Sequence, residues 1–149
     1  MFKKAKGKKS TVRIDTLIGQ HTHIKGNVEF SGGLRIDGQI TGNINAINDI
    51  DSILTLSEQG TITGEIRVPN LIINGTINGN VYAVGHVELA DKANVKGNVY
   101  YRLLEMTVGS EVNGQLIRMS AENKGTLDLS HDAIDIDKAF QLEQKTNLD

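Results

Sequence analysis

Aliphatic residues recur around a glycine in six copies along this chain: Ile24-Lys25-Gly26-Asn27-Val28, Ile40-Thr41-Gly42-Asn43-Ile44, Ile62-Thr63-Gly64-Glu65-Ile66, Ile77-Asn78-Gly79-Asn80-Val81, Val95-Lys96-Gly97-Asn98-Val99 and Val112-Asn113-Gly114-Gln115-Leu116. In an extended chain the two aliphatics and the glycine point to one side, and the polar residues between them point to the other. That period-2 pattern predicts half-buried strands. Ile and Val, stiff at χ1, suit a pleated surface. A glycine at one fixed phase predicts a corner that each copy turns.

A second apolar element precedes each later copy: Leu34-Arg35-Ile36, Leu54-Thr55-Leu56, Leu71-Ile72-Ile73, Val87-Glu88-Leu89 and Leu104-Glu105-Met106. Between it and the motif lie turns of two lengths. Asp37 and Asn74 are single residues before Gly38 and Gly75, whereas Ser57-Glu58-Gln59, Ala90-Asp91-Lys92 and Thr107-Val108-Gly109 are triplets. Variable turns at constant strand phase explain why the motif glycines lie 16, 22, 15, 18 and 17 residues apart.

A fixed internal period means one small unit stacked on itself, and no such unit buries its apolar side alone. Two or three strands in about 18 residues make one coil of a parallel β-helix. At a rise of ~4.8 Å per coil, six coils predict a rod of roughly 30 Å. Equivalent side chains should stack in ladders, aliphatics inside, with Asn27, Asn43, Asn80 and Asn98 as a candidate amide ladder. A hairpin sandwich fits less well: Asn mostly follows Gly in the motif rather than preceding it. The uneven spacing breaks the six-residue rhythm of hexapeptide helices, and the leucine-rich-repeat signature is absent.

Composition narrows function more than fold. The length of 149 residues predicts one domain over 16–120 between two flexible tails, 1–15 and 121–149. There is no Cys, so neither disulfides nor thiolate metal sites are available. No apolar run is long enough to span a bilayer, and the basic amino terminus lacks the apolar stretch of a secretory signal. The expectation is a cytoplasmic protein.

The net charge of −2 hides an asymmetry. Six positive charges and no acid occupy residues 1–13, whereas residues 121–149 carry seven acids against three lysines. The head places Met1 and Phe2 before Lys3, Lys4, Lys6, Lys8 and Lys9. Such a segment can lie on an anionic membrane, each Lys adding about 1 kcal/mol and a buried Phe ~1.5–3 kcal/mol. One tail would bind weakly, and many on a polymer firmly. A solvated tail is the plainer alternative. Nucleic-acid binding finds little support, because the body has no basic stripe. In the acidic tail, Ala133, Ile136, Ala139 and Phe140 fall at roughly helical spacing, compatible with a docking helix or with solvated disorder.

A coil stack leaves unpaired N–H and C=O groups and an uncovered apolar ladder at each end. The first coil begins at Thr16-Leu17-Ile18 with no helix pattern before it. The last runs through Val112, Leu116 and Met119 with only a weak candidate cap. End-to-end stacking into filaments is the expectation, a capped monomer the alternative.

With Thr16-Leu17-Ile18-Gly19, Ile24-Lys25-Gly26, Leu34-Arg35-Ile36-Asp37-Gly38-Gln39-Ile40-Thr41-Gly42-Asn43-Ile44 and the later copies in view, the sequence resembles the bactofilins, bacterial cytoskeletal proteins. The resemblance covers about residues 16–120. It implies an all-β, right-handed parallel β-helix that polymerises without nucleotide or other cofactor, with contacts between like ends. It implies a scaffold on the inner face of the cytoplasmic membrane, serving cell shape and recruiting cell-wall or chromosome-organising proteins. On that resemblance, Met1, Phe2 and the following lysines match the family's membrane-targeting segment. The head-end contact falls to Leu17, Ile18, Ile24 and Val28. Val112 stands where many members carry an aromatic.

Catalytic chemistry finds no foothold. His21 and His23 share a side of an extended segment, but no third metal ligand follows from spacing, and an exposed turn accounts for them. Nucleophile elbows, phosphate-binding loops and zinc-protease motifs are absent. Asp37, Asp49, Asp51 and Asp91 sit at turns, where Asp is expected for backbone reasons. A β-helix enzyme or carbohydrate-binding module would need acids and aromatics clustered at equivalent phases of adjacent coils. No such cluster surrounds Tyr82, Tyr100 and Tyr101 in the sequence, and no catalytic or metal-binding residue is predicted.

Overall fold

The alternation of buried and exposed positions resolves into three strands per coil. The structure, a computed structural model, describes residues 13–47 and 50–120. The first coil holds β1 (Thr16–Ile18), β2 (His23–Lys25) and β3 (Val28–Phe30). The second holds β4 (Gly33–Ile36), β5 (Gln39–Thr41) and β6 (Ile44–Ala46); the third β7 (Ile53–Leu56), β8 (Thr61–Thr63) and β9 (Ile66–Arg67). The fourth holds β10 (Asn70–Ile73), β11 (Thr76–Asn78) and β12 (Val81–Tyr82); the fifth β13 (His86–Leu89), β14 (Asn94–Lys96) and β15 (Val99–Tyr101). The sixth holds β16 (Leu103–Met106), β17 (Glu111–Asn113) and β18 (Leu116–Arg118). Every pairing is parallel and joins each strand to its counterpart one coil away, giving three six-stranded sheets. The chain is a right-handed parallel β-helix, the hand that parallel crossovers take almost always.

The core is a set of ladders. The first sheet contributes Leu34, Leu54, Leu71 and Val87 at one level and Ile36, Leu56, Ile73 and Leu89 at the next. The second contributes Ile40, Ile62, Ile77 and Val95, the third Ile44, Ile66, Val81 and Val99. All are buried in one continuous cluster. At roughly 1.5–3 kcal/mol for each fully buried aliphatic, these ladders are the main favourable term in a fold without large core rings.

The motif glycines sit at the corner between the second and third sheets. Gly42, Gly64, Gly79 and Gly97 have φ between 149° and 153°. A Cβ on any of them would collide with the carbonyl oxygen of the equivalent glycine one coil below. Glycine is required here by close approach as well as by backbone conformation. The triplet turns close with hydrogen bonds from Gly60 N to Ser57 O, Ala93 N to Ala90 O and Ser110 N to Thr107 O, at 2.9–3.0 Å.

The asparagines behave differently from a side-chain amide ladder. Asn27 Oδ1 accepts from Asn43 N at 2.9 Å, Asn43 Oδ1 from Glu65 N at 3.0 Å, Asn80 Oδ1 from Asn98 N at 2.9 Å, and Asn98 Oδ1 from Gln115 N at 3.0 Å. Each side chain staples its own coil to the backbone of the next. The need for an acceptor is greatest at the part-buried Asn98 N–H, because a buried unpaired N–H is costly. The longest motif interval holds the link between β6 and β7. Asn70 Nδ2 anchors it by donating to Ile50 O and Ser52 O, both at 3.1 Å.

Candidate functional site

The ends of the rod differ from its middle by one physical property. Inward ladder residues that are buried throughout coils two to five lose cover at the terminal coils, Ile18 excepted, which stays buried. Ile24 and Val28 in the first coil are only partly buried, as are Leu104 and Val112 in the last. Met106 and Leu116 in the last coil are exposed. Among the described residues, six of the eight exposed large hydrophobics lie in or beside these two coils: Ile14, Leu17, Leu103, Met106, Val108 and Leu116. The other two, Ile47 and Ile50, lie in the link between β6 and β7.

Backbone pairing stops at the same places. The sheet orders end at β1, β2 and β3 on one side and at β16, β17 and β18 on the other. Among the described residues no strand pairs with these outer edges. Apolar ladder ends and open edges therefore coincide on two opposed faces, a combination that templates further strand pairing.

The residues expected at the ends divide by orientation. Ile18, Ile24 and Val28 continue the inward ladders of Ile36, Ile40 and Ile44. Val112 and Leu116 continue those of Val95 and Val99. Leu17 is in register with Arg35, on the outer side of the first sheet, and is 58% exposed; Thr16 takes the inward slot beside Leu34. The family resemblance names Leu17 and Ile18 together as head-end contacts; they are adjacent aliphatics, and only register separates them. Met119 is also off the ladder. It is buried with Tyr82 and Tyr100 in a second small cluster, against which Val84 and Ile117 pack.

That cluster escaped the sequence reading. Tyr82 and Tyr100 are in register on β12 and β15, their rings stacked with centroids 4.9 Å apart and planes 8° apart. The Arg67 guanidinium lies 4.7 Å from the Tyr82 ring centroid, within cation–π range. Burial pushes the Tyr82 phenol above its ordinary value, although Asn80 Nδ2 donates to its oxygen at 3.4 Å. The signal was present, because the two tyrosines are separated by the same 18 residues as Gly79 and Gly97. Aromatics at equivalent phases of adjacent coils could form a sugar platform, but these are 5% and 6% exposed and offer no open ring face.

The Leu34-Arg35-Ile36-Asp37-Gly38 segment also becomes intelligible. Leu34 and Ile36 point inward, and Arg35 Nε donates to Asp37 Oδ1 at 3.0 Å outside. A Cβ on Gly38 would run into the carbonyls of Gly19 and Thr22. Near the head, the Asp15 carboxylate accepts Gly33 N–H at 2.9 Å, which holds its pKa below the usual range.

His21 and His23 do not converge. His23 Nε2 contacts Thr41 Oγ1 at 3.0 Å, while His21 Nε2 lies 3.4 Å from Gln20 Nε2. Among the described residues no three His, Cys, Asp or Glu side chains group as metal ligands. No helix among them is long and apolar enough to cross a membrane. The head residues Met1, Phe2, Lys3, Lys4, Lys6, Lys8 and Lys9 and the acidic tail lie outside the described residues.

No solved structure matches this chain. Bactofilin BacO of Myxococcus xanthus (strain DK1622) is 25% identical over 109 residues, which covers 73% of this chain and 83% of BacO. The bactofilin family model, described as polymer-forming cytoskeletal, matches residues 16–117, the whole coil stack but for its last residues. Open strand edges, bared ladder ends and that match agree: this chain belongs to the bactofilin family of polymer-forming cytoskeletal proteins.

Proposed function

We propose that this protein is a non-enzymatic scaffold whose β-helices stack end to end into nucleotide-independent filaments on the inner face of the cytoplasmic membrane. The carrying observation is the coincidence of open strand edges and bared apolar ladders on the first and last coils. Ile24 and Val28, beside the buried Ile18, form the apolar centre of one face, and Val112 and Leu116 that of the other, with Leu17 at the rim of the first. Covering a face in water regains burial at about 25 cal/mol per Å² of apolar surface and pairs edge N–H and C=O groups at the same time. No bound nucleotide is needed, because both terms come from the chain itself.

The head supplies the membrane contact. Met1 and Phe2 insert while Lys3, Lys4, Lys6, Lys8 and Lys9 meet anionic headgroups, and a filament multiplies a weak single contact. A membrane-held filament of this kind serves cell shape and recruits cell-wall or chromosome-organising proteins.

The test is negative-stain microscopy of the full chain, with pelleting on anionic vesicles. Wild type should form filaments that pellet. Leu116→Arg should leave the β-sheet circular dichroism intact and abolish filaments, because a charge at an exposed ladder end costs nothing until a second molecule covers it. Deleting residues 2–9 should leave filaments that no longer pellet with vesicles. Wild-type filament lengths in Leu116→Arg would remove the end-face assignment, and unchanged pelleting of the deletion would remove the anchor.

A further inference from the structure

The third sheet changes character on its outer side. Its outward positions run Glu29, Asn45, Arg67, Tyr82, Tyr100 and Ile117 from first coil to last. The first three are polar and the last three are not. The outward positions of the second sheet are polar in every coil, from His23 and Lys25 to Glu111 and Asn113. An apolar strip therefore runs along the outside of the solenoid, confined to coils four to six.

We propose that residues 121–149 of the same chain dock on this strip. Tyr82, Tyr100 and Met119 project away from the core, yet are only 5%, 6% and 5% exposed. The described chain ends at Ser120, next to Met119 in the strip itself. The 29 residues beyond it are ample for three coils, which rise only ~14 Å. They hold Leu127, Leu129, Ile136, Phe140 and Leu142 for the apolar surface. They also hold seven acids against three lysines, which complements Arg102 two residues past Tyr100. Docking there covers a flank and leaves both end faces free, so this inference stands apart from filament formation.

Photo-crosslinking in the full chain tests it. A benzophenone amino acid replaces Ile117, whose partly buried side chain packs on the strip. Equal amounts of light and nitrogen-15-labelled protein are mixed, so that mass spectrometry separates links within a chain from links between chains. Links within one chain to peptides of residues 121–149 are the expected result. They should be lost when Tyr100 is also changed to Glu. Links mainly to residues 13–120 of a second copy would overturn the proposal and make the strip a lateral contact. Links to residues 121–149 of another chain would also overturn it. So would a yield no higher than from a benzophenone at exposed Lys96 on the second sheet. As a check independent of the probe, deleting residues 121–149 should increase iodide quenching of tyrosine emission; unchanged quenching would count against the cover.

Discussion

The carbonyl oxygen of Gly64 occupies the space that a Cβ on Gly79 would need. The same relationship links each motif glycine to the one below it, and it ends at Gly26, whose Cβ would meet nothing within 4 Å. Both Gly79 and Gly26 have φ in the region that disfavours side chains, at 153° and 133°. Alanine at either should therefore cost about 1–3 kcal/mol in backbone strain. Only Gly79→Ala adds a backbone collision that a neighbouring coil must move to relieve. Urea unfolding followed by circular dichroism should show a distinctly larger loss for Gly79→Ala than for Gly26→Ala. Equal losses would mean that conformation alone, and not coil spacing, selects glycine at this corner.

The asparagine staples predict a second ranking. Asn80→Ala leaves the Asn98 N–H, part-buried at the corner, without its acceptor, and also removes the contact with Tyr82. An unsatisfied donor of this kind costs about 1–3 kcal/mol. Asn43→Ala strips the Glu65 N–H at a more exposed corner, where water replaces the lost acceptor. The unfolding midpoint should drop further for Asn80→Ala. The reverse order would show that side-chain packing, and not backbone satisfaction, keeps asparagine at these positions.

Much of this architecture is legible in the chain because the ladder constraint is repeated. Six copies of one aliphatic–glycine–aliphatic unit carry the coil count, the inward positions and the glycine corner. Legibility fails where one residue must be placed against another coil. Leu17 and Ile18 are both aliphatic, and only the pairing of Thr16 with Leu34 shows that Ile18 continues the ladder. Asn27, Asn43, Asn80 and Asn98 follow four of the six motif glycines in a pattern that reads as a side-chain stack, but their oxygens reach the backbone one coil on. Tyr82 and Tyr100 look isolated until the coil period is applied to them. Their stacking, and the burial of Met119 beside them, depend on register rather than on local pattern.

Tyr82 gives the fold an alkaline limit. Burial favours its neutral phenol, so its folded pKa lies above the ordinary 10.0. As pH rises through the unfolded value, the unfolded chain releases this proton while the folded chain keeps it. Stability must then fall with pH until the folded pKa is passed. Between about pH 9 and 11 the urea midpoint of wild type should decline more steeply than that of Tyr82→Phe. Parallel declines would show that other groups carry the alkaline sensitivity.

Asp15 acts in the opposite sense. Hydrogen bonding from Gly33 N–H holds its folded pKa below the usual 3.8. Its contribution is present above the unfolded value and is lost as pH falls through the folded one. Asp15→Asn keeps an acceptor oxygen but cannot ionise. It should lower stability at neutral pH and lose little more on acidification below about pH 4, whereas wild type should lose stability there. Identical acid limbs for the two proteins would remove Asp15 from the acid response.

The two end faces yield the sharpest contrast, because one ladder contains both exposed and buried members. Val28 and Ile44 are consecutive rungs on the third sheet, Val28 partly buried and Ile44 fully so. A lysine at Ile44 places a charge among Leu and Ile side chains with no partner, and the coil stack should not survive it. A lysine at Val28 can reach water from the first coil, so the isolated molecule should keep its β-sheet spectrum. Once a second molecule covers that face, the same charge must be desolvated. Sedimentation velocity should therefore find Val28→Lys folded but unable to form long assemblies, while Ile44→Lys is unfolded or aggregated. Long assemblies of folded Val28→Lys would show that the first coil is not a contact face, and assembly would then have to run through the last coil or along the flanks.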